Sequence, residues 1–345
     1  SSDVCSSDLL GINGGQLLCF LAFWGVQFWY IVHGMDAIRK LETYTAPLKI
    51  LICFVLLGWV YNKAGGFGDL LSAPSQFVEG GKKAGQFWAV FWPSLTAMVG
   101  FWATLALNIP DFTRFAKSQK EQVKGQMIGL PIPMALFSLV GIIGFSVSQI
   151  LYGKAQLFPD GLLTQMGTIP AGIGLLVILL ANLTTNVAAN LVSPSYDFSQ
   201  IAPEKISFRT GGLIAAFIGL LFMPWKLLST SGGYLFTWLG GYGTLLGAIA
   251  GILLVDYYLV RKTVLNVPDL YRRGGEYEYS NGWNIHAIIA FILGIAPCLP
   301  GYLAASGLLP AESVGAIWKE LYNFGWFFSL FVAGIYYFLT AKKPA

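Results

Sequence analysis

Polar side chains interrupt one strongly apolar stretch of the chain, and their types and spacing are suited to binding. Between residues 180 and 190, hydroxyl and amide groups stand at Asn182, Thr184, Thr185, Asn186 and Asn190. Residues 171–180 before them are all apolar or small, as in a membrane helix. Hydrocarbon penalises an unpaired polar group by several kcal/mol, so these groups must face protein, water or a ligand. The stretch is therefore a candidate site for a polar small molecule and an ion, and it favours transport as the function.

On an ideal helix, with about 100° between successive residues, these side chains divide between two faces. One face holds Ala181, Thr184 and Thr185, where two hydroxyls lie beside the carbonyl of a small residue. These hard, neutral oxygens suit a monovalent cation such as sodium, which must bind weakly enough to be released. The amides form a ridge with i, i+4 and i+8 spacing on a different face, at Asn182, Asn186 and Asn190.

The amide ridge offers donors together with acceptors, which suits the amide or imide edge of a solute. Threonine and asparagine side chains also hydrogen-bond neighbouring helices in membrane proteins, and for any single residue this alternative stays open. For the whole cluster we favour a functional role, because polar groups inside membranes are usually functional.

Trp102 is the second candidate for a binding residue. A flat indole can stack on a planar ring and contributes about 0.5–1.5 kcal/mol beyond simple burial. Gly100 weakens the helix just before it, and Phe101 stands between the two. The alternative is that Trp102 packs in the helix bundle or against lipid, since the chain has 11 tryptophans. Asp111 and Arg114 follow in a predicted cytoplasmic loop, where a solvated pair is favoured over an inner gate.

The composition indicates a polytopic helical membrane protein. The chain is 55% hydrophobic and only 11% charged, with a mean hydropathy of +0.64, whereas soluble chains carry about 25% charged residues. The apolar runs are long enough to cross about 30 Å of hydrocarbon, and the alternating segments of a membrane β-barrel are absent from the sequence. The net charge of +4 indicates basic cytoplasmic loops in a lipid bilayer rather than a nucleic-acid partner.

Catalytic motifs are missing from the sequence. It contains no nucleophile elbow, no HExxH pair and no phosphate-binding P-loop. The cysteines and histidines have no metal-binding spacing. An enzyme and an ATP-driven pump are therefore disfavoured, and no cofactor is expected beyond a possible Na⁺ as coupling ion.

The apolar pattern predicts an all-α fold with nine membrane-crossing helices. Their predicted positions are 15–34, 46–62, 87–108, 128–152, 169–192, 210–228, 234–259, 285–304 and 321–340. Basic residues concentrate in alternate loops, and Arg39, Lys40 and Lys49 belong to the richer set. The positive-inside rule places that set and the C-terminus in the cytoplasm of a multi-pass cell-membrane protein.

The beginning of the chain differs from the rest. Residues 1–9 repeat Ser-Ser-Asp and lack both an initiator Met and a targeting pattern. The predicted orientation also starts the first complete helix outside the cell. We interpret 1–9 as a non-native or extracellular lead, with the chain truncated upstream, and 10–345 as a single transmembrane transporter domain.

Several longer motifs carry a resemblance to a known family. They are Asn-Ile-Pro-Asp-Phe-Thr-Arg-Phe-Ala-Lys-Ser-Gln at 108–119, Thr-Asn-Val-Ala-Ala-Asn-Leu-Val-Ser-Pro at 185–194, Met-Pro-Trp-Lys at 223–226 and Asp-Tyr-Tyr-Leu-Val-Arg-Lys at 256–262. From about Gln16 to its C-terminus the chain resembles the nucleobase–cation symporter-1 family, and most of all its bacterial allantoin, hydantoin and uracil permeases.

The resemblance implies a fold of twelve transmembrane helices built on a five-plus-five inverted-repeat transporter core. The nine predicted helices then correspond to the fourth through the twelfth. Residues 87–259 would form the second inverted repeat, and residues 285–340 the two C-terminal helices. The first three helices of the family would be absent from this chain.

The resemblance also assigns roles to the candidate residues. Trp102 would stack on a planar heterocycle, and Asn190, with Asn186 as a second candidate, would hydrogen-bond its amide edge. Sodium would be bound by the carbonyl of Ala181 and the hydroxyls of Thr184 and Thr185. In the hydantoin-transporting relatives a glycine directly precedes the stacking tryptophan. Here Phe101 takes that position and Gly100 lies one step earlier, so substrate choice is expected to differ.

These observations together predict a secondary active symporter. It would import a planar nucleobase-like or ureide heterocycle of the allantoin, hydantoin or uracil class, together with Na⁺ or H⁺, by alternating access. Two alternatives stay open. One is a transporter of the same architecture for another solute such as an amino acid, and the other is a non-transporting membrane sensor or scaffold.

Overall fold

The computed structural model describes residues 12–66, 75–152, 167–225 and 237–341. In these ranges the regular structure is helical, apart from one isolated bridge between Ser280 and Trp283. Two π-helical segments, Val187–Val192 and Val255–Val260, continue longer helices. The α-helices in chain order are α1 (Gly14–His33), α2 (Met35–Ala64), α3 (Phe87–Trp102), α4 (Leu105–Asn108), α5 (Pro110–Thr113), α6 (Gln119–Gly129), α7 (Pro131–Tyr152), α8 (Thr168–Asn186), α9 (Ser193–Ile201), α10 (Phe208–Leu221), α11 (Leu239–Leu254), α12 (Ile285–Ile295), α13 (Leu299–Ala305), α14 (Ala316–Asn323) and α15 (Gly325–Thr340).

Each of the nine predicted segments contains an apolar helix within the described ranges. Seven segments are long and apolar enough to cross a membrane, and α14 with α15 forms a further pair bent by 87°. The remaining segment, α10, is apolar but shorter, and its predicted continuation reaches residues outside the described ranges. The prediction of an all-helical polytopic membrane protein is confirmed.

The second helix begins earlier than predicted. Instead of starting near residue 46 after a loop, α2 is helical from Met35 onward. Asp36 and Arg39 form an ion pair of 3.3 Å one turn apart, which is compatible with a helix whose first turns leave the apolar region. Glu42 therefore lies on the same helix as Lys49, a residue that was counted with the cytoplasmic loops although the predicted helix 46–62 contains it.

Contacts divide the chain into two compact units. One comprises the described residues of Ser1–Ser75 and Pro110–Trp225. Its core lies where α1, α2, α8 and α10 pack together, around the fully buried Ile31, Val187 and Val192. These branched side chains fill the space around the first π-helical segment.

The other unit comprises the described residues of Gln76–Ile109 and Lys226–Ala345. Its centre is α11, which packs against α3, α12 and α15. The buried residues along this centre are small, and a side chain added at Gly247 or Gly251 would collide with the backbone of α15. Small residues allow helix backbones to approach closely in membrane proteins, and this explains the glycine-rich sequence of α11.

A polar network closes the second unit at the end of α11. Asp256 accepts hydrogen bonds from Arg261 Nε at 2.8 Å and from the Tyr337 hydroxyl at 2.8 Å. Asn284 Nδ2 donates to the Tyr337 oxygen at 3.1 Å, and Arg261 also bonds Glu276 at 2.5 Å. Buried charges are tolerated when they are paired in this way. The motif at 256–262 therefore has a structural role in holding α15 and the following loop.

The close packing of α11 can be tested by adding one methyl group. Gly251→Ala should lower the free energy of unfolding by about 1–3 kcal/mol, because the added Cβ would meet the carbonyl oxygen of Leu330. The matched control is Gly141→Ala on α7, where an added Cβ meets nothing within 4 Å. Thermal unfolding of the detergent-solubilised protein should show a lower melting temperature for Gly251→Ala alone. Equal melting temperatures for both variants would contradict this account of the packing.

Candidate functional site

The hydroxyl of Thr184 lies at the centre of the first cluster of predicted site residues. Thr184 is fully buried, and its Oγ1 donates to the carbonyl oxygen of Ala181 at 3.0 Å. The same oxygen accepts a hydrogen bond from Lys49 Nζ at 2.8 Å. Lys49 Nζ lies 3.6 Å from Glu42 Oε2. The structure thus brings Ala181 and Thr184 together with a lysine, whereas Thr185 is exposed and outside this group.

The earlier start of α2 places Glu42 on the same helix as Lys49. Glu42 and Lys49 are about two helical turns apart, so both side chains project from one face of α2. That helix packs against α8, which carries Thr184 near the middle of the apolar span Ala171–Ile201. Within the described residues, no group of three or more His, Cys, Asp or Glu side chains could hold a metal ion. The sodium ligands at Ala181, Thr184 and Thr185 stay a prediction.

A π-helical segment shapes the second cluster. The α-helix α8 ends at Asn186 and continues as the wider π-helix Val187–Val192 before α9 begins. Pro194 explains this change, because proline has no N–H and its ring would clash in an α-helix with the carbonyl of Asn190. The straight ridge predicted from an ideal helix therefore does not extend through this segment. π-helical turns within α-helices are frequent at functional sites.

The asparagines form a chain of amides that reaches another helix. Asn190 Nδ2 donates to Asn186 Oδ1 at 2.6 Å, and Asn186 Nδ2 donates to Gln27 Oε1 on α1. Gln27 is buried, whereas Asn190 is exposed. The side-chain oxygen Oδ1 of Asn190 accepts no hydrogen bond from the described residues. Asn182 is exposed and takes no part in this chain. The arrangement fixes Asn190 while leaving it one acceptor and one further N–H for a ligand.

Three residues of these clusters were not among the candidates predicted from the sequence: Gln27, Glu42 and Lys49. Gln27 stands alone among apolar and aromatic residues of α1, and that isolation was an available signal for a buried polar contact. Lys49 gave the opposite signal, because a lysine beside an apolar run is typical of a loop or a helix end.

Trp102 lies in the second unit, at a break in the helix. α3 ends at Trp102, and helical structure resumes at Leu105 as α4, after two intervening residues. The indole is partly buried and makes an edge contact with the exposed ring of Phe101, with 5.4 Å between ring centroids. Gly100 is buried, and a side chain there would collide with the carbonyl of Leu239 on α11. Gly100 therefore permits close helix packing, and the roles of these three residues in substrate binding stay predictions.

Asp111 and Arg114 were predicted to form a solvated pair, but only one of the two is exposed. Asp111 is buried, and burial raises the pKa of its carboxyl group. Arg114 is exposed, and its guanidinium lies over the ring of Tyr196 at 4.3 Å from the centroid. The prediction of a solvated pair is wrong for Asp111, because α5 turns that side chain inward.

The fold matches solved transporter structures. The described helices resemble Mhp1, a nucleobase–cation–symport-1 family transporter solved in a closed conformation with bromovinylhydantoin bound, with a TM-score of 0.67 and 24% sequence identity. That match covers 92% of this chain and 65% of the other. An inward-facing structure of Mhp1 matches with the same TM-score over 93% of this chain. The predicted inverted-repeat transporter fold is confirmed.

Comparisons of sequence agree with the fold. A purine-uracil permease of Arabidopsis thaliana is 45% identical over 337 residues, which are 97% of this chain and 55% of the relative. An allantoin permease of Bacillus subtilis is 37% identical over 97% of this chain and 65% of its own length. The chain thus spans between half and two thirds of these relatives.

The family itself is identified by a family-wide sequence model. The model that matches residues 4–328 describes permeases for cytosine and purines, uracil, thiamine and allantoin. The matched region includes both clusters and Trp102. The chain therefore belongs to this permease family, which is the nucleobase–cation symporter-1 family that its motifs resemble.

Proposed function

We propose that this protein is a secondary active permease for a planar, neutral heterocycle of the allantoin, hydantoin or uracil class, imported with Na⁺ or H⁺ by alternating access. The observation that carries the proposal is the amide chain Asn190–Asn186–Gln27, which leaves Asn190 exposed within an apolar helical segment. Its location would be the cell membrane, crossed many times, with the C-terminus in the cytoplasm.

The chemistry of Asn190 supports a heterocyclic substrate. The free carbonyl oxygen and the remaining N–H of Asn190 complement the adjacent N–H and C=O groups that hydantoins and pyrimidines present at their edges. A site built to pair these groups discriminates strongly against solutes that leave them unpaired. Trp102, partly buried at a helix break, offers a flat face on which a planar ring can stack.

The charges of the site argue against an amino acid as substrate. A zwitterion would need partners for both an ammonium and a carboxylate group. The amide cluster offers only neutral groups, and Lys49, the cation of the other cluster, is already bonded to Thr184 and paired with Glu42. Membership of a permease family supports transport over an enzymatic, sensing or scaffolding role.

Asn190 can be tested against a control on the same helix. In the full-length gene product, Asn190→Ala should lower uptake of radiolabelled allantoin, hydantoin or uracil by roughly tenfold or more, since one bidentate contact contributes more than 1.4 kcal/mol. Asn182→Ala is the control, because Asn182 is exposed and outside the amide chain. Uptake should be normalised to the amount of protein at the membrane. Equal uptake by the two variants would contradict the role of Asn190 in substrate binding. Stronger competition by an amino acid than by these heterocycles would contradict the proposed substrate class.

Gln27 should act through Asn186 rather than on the substrate. Gln27→Leu removes the acceptor that holds the Asn186 amide, so the KM for uptake should rise several-fold with a smaller change in maximal rate. Combined with Asn186→Ala, Gln27→Leu should add nothing further, because the interaction it removes is already absent. Additive losses in the double variant would show that Gln27 acts independently of Asn186.

A further inference from the structure

Lys49 makes two polar contacts in the described structure, and both lie within the first cluster. Its Nζ donates to Thr184 Oγ1 at 2.8 Å and lies 3.6 Å from Glu42 Oε2. The side chain is 19% exposed, so the ammonium is largely withdrawn from solvent. The helices packed most closely on α2 are α1, α7 and α8, and none of them supplies a carboxylate. The lysine is thus a fixed positive charge directed at a buried hydroxyl.

The oxygens that suit a sodium ion are already engaged by this arrangement. Thr184 donates its only hydroxyl proton to the carbonyl of Ala181, so its oxygen faces Lys49 with its lone pairs. An ammonium group satisfies such lone pairs by donating hydrogen bonds to them, whereas a metal cation would be coordinated by them. Thr185, the third predicted ligand, is exposed and does not join them.

Charge repulsion opposes a second cation at the same oxygens. A sodium ion coordinated by Thr184 would lie next to the ammonium of Lys49, with like charges in a partly buried site. Glu42 supplies a single negative charge, which the ammonium already offsets. The neutral oxygens of Ala181 and Thr184 provide no charge to compensate a further ion.

We propose that the ammonium of Lys49 is the resident cation of the Ala181–Thr184 oxygen site, so that transport does not require sodium. The juxtaposition of Lys49 Nζ with Thr184 Oγ1 carries this inference. It rests on the proposed function for its transport readout, and it replaces sodium binding at Ala181, Thr184 and Thr185 with a tethered positive charge on α2.

The first test compares sodium with an inert cation. Full-length wild-type protein should take up radiolabelled allantoin, hydantoin or uracil at the same initial rate, within twofold, in sodium chloride and in choline chloride. A rate that falls by roughly tenfold or more in choline chloride would overturn the inference, while the proposed transport function would stand.

Variants of α2 then test the role of the charge. Lys49→Met keeps a long apolar stem and removes the ammonium, so uptake should fall by roughly tenfold in both media. Lys49→Arg keeps a cation and should retain part of the uptake. Lys40→Met is the matched control, because Lys40 is exposed on the same helix and should leave uptake within twofold of the wild type. Unchanged uptake by Lys49→Met would contradict the inference.

A binding measurement separates failure of the inference from failure of the proposed function. If the wild type takes up none of the three heterocycles in either medium, the proposed function is wrong. Thermal unfolding of the purified wild type then decides the inference alone. Equal melting temperatures in sodium chloride and choline chloride support a resident ammonium, and a sodium-specific rise overturns it.

Discussion

The structure depends on one constraint: polar groups within apolar helices must find partners inside the protein. Water is scarce there, so each buried hydroxyl or amide that lacks a partner costs free energy. Thr184 meets this requirement through Ala181 and Lys49, and Asn186 meets it through Gln27 and Asn190. These contacts also fix how α1 and α2 pack on α8. The same bonds that stabilise the first unit therefore orient the side chains suited to binding.

The two units satisfy this constraint by different means. In the first unit, long polar side chains form hydrogen bonds between separate helices, and branched apolar residues fill the remaining space. In the second, α11 approaches its neighbours through glycines, and the polar contacts concentrate at its end around Asp256 and Arg261. One kind of interface positions the candidate binding groups, whereas the other brings helix backbones close together.

Much of the fold follows from the sequence, because the lipid bilayer requires both a minimum length and an apolar composition of each helix that crosses it. The hydropathy pattern placed an apolar helix in each of the nine predicted segments. Contacts between distant residues were harder to predict. Lys49 and Thr184 are separated by 135 positions, and Asn186 and Gln27 by 159, so no local pattern links them. The local rule that assigns lysine to loops gave the wrong position for Lys49.

Repulsion between like charges gives the size of the effect proposed for Lys49 at the Ala181–Thr184 oxygens. Two unit charges about 4 Å apart repel by about 4 kcal/mol at the effective dielectric near a protein surface. No rearrangement of neutral oxygens offsets a cost of that size easily. Under the role proposed for Lys49, a single helix residue therefore decides which cation the hydroxyl cluster accepts.

The π-helix at Val187–Val192 has a consequence for chain length. A π-turn contains one more residue than the α-turn it replaces, so it amounts to a single-residue insertion absorbed within a continuous helix. Deleting one residue from this segment would restore α-helical winding and rotate everything before it by about 100° relative to α9. Which way Asn190 points is thus encoded by the number of residues in the segment as well as by their types.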